Sequence, residues 1–84
     1  MAMKSTKPNA RSTTGVKYLH VDVGYTYVVR VIIKKKHFIV WKGVDKDIGT
    51  KIAMKVQSIM AKGEAAFLDW FDYGMEVWLE NNGY

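Results

Sequence analysis

The chain carries cations in a pattern suited to binding a polyanion. Arg30 stands within a run of apolar, β-branched residues, where its guanidinium group must face water or an anion. The consecutive lysines Lys34, Lys35 and Lys36 end that run. A guanidinium group binds phosphate or a guanine edge through two parallel hydrogen bonds, and an ammonium group binds phosphate as a point charge. These residues therefore predict a polyanion-binding surface.

Each of these features also has a structural interpretation. Arg30 could form an ion pair across the sheet with Asp22, which would make it part of the scaffold. The three lysines could form an ordinary solvated turn. Both interpretations remain open at the level of sequence.

Basic and acidic residues occupy different parts of the chain. The 84 residues carry a net charge of +5, and all thirteen Lys and Arg precede position 64. The first 63 residues include three acids and have a net charge of +10, whereas residues 64–84 include five acids and have a net charge of −5. We therefore expect the first part to meet a polyanion and the acidic tail to cover part of the molecule or hold a partner.

Several kinds of chemistry lack the residues that they need. The chain has no cysteine, which excludes disulfides, thiolate metal sites and a cysteine nucleophile. His20 and His37 have no acid or cysteine at metal-ligand spacing. The carboxylates have no catalytic base or glycine-rich phosphate loop beside them. We therefore expect a protein that is not an enzyme and holds no metal or other cofactor.

No segment of the sequence suggests secretion or a membrane. Residues 1–7 lack the apolar run of a signal peptide. No apolar run approaches the roughly 20 residues of a membrane span. We therefore expect a cytoplasmic protein.

Periodicity divides the chain into three parts. Residues 1–13 are polar and basic and are expected to form a flexible arm. Residues 14–63 contain three strand-like runs with short connections, which require antiparallel pairing, and then helical spacing from an N-cap at Asp47 to a stop near Gly63. Residues 64–84 form the third part. The predicted fold class is α+β, a three-stranded antiparallel sheet packed on an amphipathic helix, with an additional C-terminal helix.

The expected C-terminal helix is both acidic and aromatic, with a possible interruption at Gly74. Its acids recur every three or four residues and share one face, opposite its aromatic side chains. Aromatic residues are more often core than interface, but a helix this aromatic on so short a chain also suits a protein partner or a homodimer. The candidate partner-binding residues are Trp70, Trp78, Asp69 and Glu76.

The order of residues resembles that of a known DNA-binding domain. Thr13-Thr14-Gly15-Val16-Lys17 is followed by a strand ending near Tyr27, by Val29-Arg30-Val31, by the lysine turn and by a third strand that closes on Gly43. This order is similar to that of the ethylene-response-factor type DNA-binding domain. It looks most like the bacterial and phage versions found in HNH homing endonucleases and at the N-termini of tyrosine integrases. The resemblance covers residues 13–62.

The resemblance implies a sheet that lies in the major groove of double-stranded DNA. It also implies a phage or mobile-element protein that acts in the cytoplasm of a bacterial host cell. By position, Arg30 matches the outward arginine of the second strand, and Trp41 lies near the outward aromatic of the third strand unless a one-residue slip buries it. The candidate DNA-binding residues are Arg30, Lys34, Lys35, Lys36, Lys17, Trp41 and Arg11.

The chain departs from the family pattern on the same sheet face. Tyr18, His20 and Asp22 stand where the first strand of the family usually offers arginines, and the outward positions Val28 and Ile32 are apolar. Two functions therefore remain open. One is a DNA-binding module, and the other is a protein-binding module, such as a small phage inhibitor or dimeric adaptor, that uses the sheet face or the C-terminal helix. A C-terminal helix lying across the outward face would favour the second function.

Overall fold

In the computed structural model, which describes residues 14–22 and 24–84, one sheet packs on three helices. The elements in chain order are β1 (Leu19–Asp22), β2 (Thr26–Ile33), β3 (Lys36–Gly43), α1 (Lys46–Met60), α2 (Glu64–Tyr73) and α3 (Met75–Asn81). The strands lie side by side in the order β1-β2-β3, and both neighbouring pairs are antiparallel. The predicted α+β class with a three-stranded antiparallel sheet is confirmed.

Strand β2 supplies the centre of the core. Its residues Val29, Val31 and Ile33 alternate along the strand, so they point to one face of the sheet. All three are buried, and they pack in one cluster with Ile52 and Val56 of α1. Alternation along β2 therefore gives this strand one core face.

A β-bulge changes the alternation of β3. Val29 lies opposite Trp41 whereas Arg30 lies opposite Ile39, so Val40 is an extra residue without a partner in β2. The extra residue shifts the pattern of facing by one position. Trp41, which follows the extra residue, therefore packs against the core, whereas Ile39, which precedes it, points to the other face of the sheet.

Helix α1 begins two residues earlier than its sequence predicts. Asp45, rather than Asp47, is the N-cap, because its carboxylate accepts hydrogen bonds from the backbone amides of Asp47 and Ile48 at 2.9 and 3.2 Å. The helix ends at Met60, before the predicted stop at Gly63. Gly63, with a φ of 116°, is instead the N-cap residue of α2.

A glycine lets α1 approach the sheet closely. A Cβ atom at Gly49 would lie 2.9 Å from Cδ1 of Leu19 and 3.0 Å from Cζ3 of Trp41. Glycine inside a helix costs about 0.5–1 kcal/mol relative to alanine. Here it permits the contact between the helix and two strands of the sheet.

The C-terminal helices belong to the same core. The expected C-terminal helix is divided at Gly74, the position named for an interruption, into α2 and α3. Phe67 of α2 is fully buried and contacts Phe38 of β3 and Phe71. Helices α1 and α2 therefore lie on the same side of the sheet, and α3 packs beside them through contacts between Trp78 and α1 and α2.

Candidate functional site

The sheet face that points away from the helices, termed the outer face, carries most of the candidate chemistry. Residues that lie opposite each other in neighbouring strands share a face, so the register defines its membership. Its described residues are His20, Asp22, Thr26, Val28, Arg30, Ile32, His37, Ile39 and Lys42. Four of these side chains are cationic or imidazole groups and one is an acid. The outer face is therefore suited to binding hydrogen-bond acceptors and anions.

Arg30 lies on the middle strand of this face. Its backbone amide donates a hydrogen bond to the carbonyl oxygen of Tyr18 at 2.9 Å. Its side-chain Nε is buried and has no hydrogen-bond partner. Asp22 lies opposite Thr26, four residues from Arg30 along β2, so the two side chains proposed for a scaffold ion pair do not face each other.

His20 is the titratable neighbour of Arg30. It lies opposite Val28 on the edge strand β1, one diagonal step from Arg30, a spacing that long side chains can bridge. Burial lowers the pKa of His20 from its ordinary value of 6.5, and the positive charge of Arg30 lowers it further. His20 therefore favours its neutral form beside the guanidinium group.

Apolar side chains flank the cation. Ile32 and Ile39 are 53% and 46% exposed, and both are outer-face neighbours of Arg30. Val28, the preceding outer-face residue of β2, is only 7% exposed. The outer face thus combines a central guanidinium group with an accessible apolar surface.

The lysines occupy a strained hairpin turn. Lys34 and Lys35 are the two residues between β2 and β3, and their φ angles are 51° and 69°. A two-residue turn with positive φ at both positions usually contains Asn-Gly, because other residues pay about 1–2 kcal/mol for the left-handed conformation. Lys36 follows as the exposed first residue of β3. The fold therefore holds three lysines together at one end of the sheet despite this cost.

Two further DNA-binding candidates lie elsewhere. Trp41 was expected near the outward aromatic position, and the structure corrects this, because the bulge at Val40 turns it towards the helices. Lys17 precedes β1, its ammonium nitrogen lies 5.2 Å from the ring centroid of Tyr18, and its carbonyl oxygen accepts a hydrogen bond from Gln57 of α1. Lys17 therefore lies beside α1. Arg11 and the predicted flexible arm lie outside the described residues.

The candidate partner-binding residues divide into two pairs. Trp70 and Trp78 are half-buried, and their ring centroids lie 6.1 Å apart in an edge-on contact. The ammonium nitrogen of Lys55 lies 5.6 Å from the ring centroid of Trp78. Both tryptophans therefore contribute to the fold of the chain, whereas Asp69 and Glu76 are exposed on its surface.

Sequence reasoning missed four members of the outer face. His20 was recognised only as a departure from the family, although alternation along β1 places it on the same face as Asp22. His37 and Ile39 alternate along β3 before the bulge and were not assigned to a face, whereas Lys42 follows the bulge, which reverses the facing of the residues after it. Alternation could have found the first three of these residues, and no local signal marks Lys42.

Within the described residues, no three His, Cys, Asp or Glu side chains are placed to hold a metal ion. None of the helices in that part of the chain has the length and apolar character to cross a bilayer. Comparisons with protein-family models, curated proteins and solved structures found no match.

Proposed function

We propose that this protein is a small, non-enzymatic DNA-binding module that lays the outer face of its sheet in the major groove. The observation that supports this most strongly is the position of Arg30, half-buried and central on the outer face. The base edges and phosphates of DNA supply acceptors for the terminal nitrogens of its guanidinium group.

The dimensions of the sheet suit this arrangement. Neighbouring strands lie about 4.8 Å apart, so the two edge strands are separated by roughly 10 Å. The major groove is about 12 Å wide. With the sheet in the groove, the middle strand β2 faces the base edges and the edge strands β1 and β3 face the two sugar-phosphate backbones. Arg30 then reads bases, and side chains of the edge strands meet phosphates.

The hairpin lysines extend the same surface. Lys34, Lys35 and Lys36 are exposed at the end of the sheet where β2 turns into β3. In this position their ammonium groups contact backbone phosphates, which fixes the orientation of the sheet without reading the sequence. Lysines occupy both positions of this turn although other residues suit the left-handed conformation better.

The resemblance to the ethylene-response-factor type domain also supports this function. It places the second-strand arginine on the outward face, which is where Arg30 lies. On the same grounds we propose that the protein is encoded by a phage or mobile element and acts in the cytoplasm of a bacterial host cell.

Variants of Arg30 test this function. Lysine keeps the charge but loses the planar fork, so Arg30→Lys should retain non-specific affinity while losing about 1–3 kcal/mol of discrimination between DNA sequences. Arg30→Ala should lower affinity as well. Fluorescence anisotropy with labelled duplexes measures both effects. Lys51→Ala, which removes a charge from the exposed side of α1, is the matched control and should change affinity much less.

Two outcomes would count against the proposed use of the outer face on DNA. If both Arg30 variants bind DNA like the parent protein but unfold more easily, Arg30 is a scaffold residue. Roughly three to five phosphate contacts should make log K fall against log salt with a slope of about −3 to −4, so an affinity that is insensitive to salt would also contradict the proposal.

A protein-binding module is the second candidate, as a phage inhibitor or a dimeric adaptor. Exposed Ile32 and Ile39 favour it on the outer face, and exposed Tyr73 and Val77 favour it on the acidic helices. The affinity of such an apolar surface for a protein partner would depend only weakly on salt, because salt does not screen apolar contacts. The salt dependence of the affinity therefore separates the two candidates.

A further inference from the structure

We infer that His20 is a further DNA-contacting residue, which takes up a proton in order to bind a backbone phosphate beside Arg30. This inference rests on the proposed DNA-binding function and adds to it a residue and a dependence on pH. His20 lies on the edge strand β1, and an edge strand faces a sugar-phosphate backbone when the middle strand faces the bases. Phosphate is therefore the nearest ligand that DNA offers to this side chain.

The backbone of β1 makes His20 the outer-face neighbour of Arg30. The carbonyl oxygen of Tyr18 accepts the amide hydrogen of Arg30, so Tyr18 occupies the position next to Arg30 on the edge strand. Tyr18 has a φ of 74°, and its side chain packs against the core instead of continuing the outward alternation from His20. His20 is therefore the side chain of β1 that lies beside Arg30 on the outer face.

Four charged or titratable groups share the outer face with His20. They are Asp22 on its own strand, Arg30 on β2, and His37 and Lys42 on β3. Burial and the charge of Arg30 lower the pKa of His20 in the free protein. A phosphate placed against the imidazole acts in the opposite direction, because an opposite charge favours the protonated form.

Proton uptake and DNA binding are consequently coupled. If DNA raises the proton affinity of His20, protonated His20 must raise the affinity for DNA by the same factor. Affinity therefore increases as the pH falls, by at most roughly tenfold per pH unit for one proton.

The two histidines of the chain allow a clean test. His37→Gln leaves His20 as the only imidazole, and the double variant His20→Gln/His37→Gln has none. The affinity of each for a labelled DNA duplex is measured between about pH 5 and 8 at constant ionic strength. We expect His37→Gln to bind more tightly as the pH falls and the double variant to change little. The inference is overturned if His37→Gln is as insensitive to pH as the double variant.

NMR titration measures the pKa of the His20 imidazole with and without DNA, and a purely structural role of His20 predicts no change between the two. The pKa of His20 should rise when a saturating DNA duplex is present, and an unchanged pKa overturns the inference. If DNA binds but neither signal appears, only the role of His20 fails. If no variant binds duplex DNA at any pH, the proposed function fails and the inference fails with it.

Discussion

The ring of Phe67 meets the ring of Phe38 edge-on, with centroids 6.0 Å apart and planes inclined by 79°. This contact joins α2 to the third strand on the side of the sheet opposite the outer face. Phe67 is fully buried within the core cluster. The acidic C-terminal part is therefore a structural component of the domain, and it does not lie across the face that carries Arg30.

Removing this contact should destabilise the whole domain. Phe67→Ala should lower the free energy of unfolding by about 3–5 kcal/mol, the usual cost of deleting a buried phenylalanine side chain. Tyr73→Ala, at a position that is 80% exposed, is the control and should change it by less than about 0.5 kcal/mol. Urea denaturation followed by tryptophan fluorescence measures both. A chain that ends at Gly63 and still unfolds cooperatively would contradict this role of α2.

Replacing the two lysines of the hairpin turn should raise stability and weaken DNA binding. Lys34→Asn/Lys35→Gly supplies the residues that the turn prefers, so the free energy of unfolding should rise by about 1–2 kcal/mol. The loss of two cations should weaken DNA binding and reduce the salt slope by about 1–2. Thermal unfolding and salt-dependent anisotropy measure the two effects.

A second pair of substitutions controls for charge. Lys34→Gln/Lys35→Gln removes the same charges but keeps the strained conformation, so it should weaken DNA binding equally without raising stability. If the Asn-Gly variant binds DNA as tightly as the parent protein, the lysines are only a solvated turn.

The stability of the free protein should depend on His20. Because its pKa is lowered in the folded state, the unfolded chain binds the proton more readily. The free energy of unfolding should therefore have its full value above pH 6.5 and decrease as the pH falls below 6.5 and through the pKa of the folded state. Urea denaturation between about pH 8 and 5 should show this component in the parent protein and in His37→Gln. Its persistence at equal size in His20→Gln would refute the assignment.

Local patterns predicted the architecture because each pattern repeats over several residues. The alternation of Val29, Val31 and Ile33 identifies the core face of β2 from sequence alone, and the short connections require an antiparallel sheet. Trp41 could not be placed in this way. The bulge at Val40 reverses the facing of the residues that follow, and no glycine or proline in β3 before Gly43 signals it. The position of one extra residue is decided by packing against the helices.

Part of the candidate site could also be predicted from the sequence. Alternation placed Arg30 on the outward face, and the lysine turn followed from the lengths of the runs on either side. The buried Nε of Arg30, the proximity of His20 and the left-handed conformation of Lys34 and Lys35 depend on cross-strand register. Register is a tertiary property, so these features required coordinates.

The isoleucine methyl groups test most directly whether the outer face binds DNA. Ile32 and Ile39 report on the outer face, whereas Ile33, Ile52 and Ile59 are buried on the side of the helices. NMR spectra of a methyl-labelled sample, recorded while duplex DNA is added, follow both groups at once. We expect the methyl signals of Ile32 and Ile39 to shift in proportion to the bound fraction and those of the buried group to move much less. DNA binding that leaves the signals of Ile32 and Ile39 unchanged would contradict the use of this face.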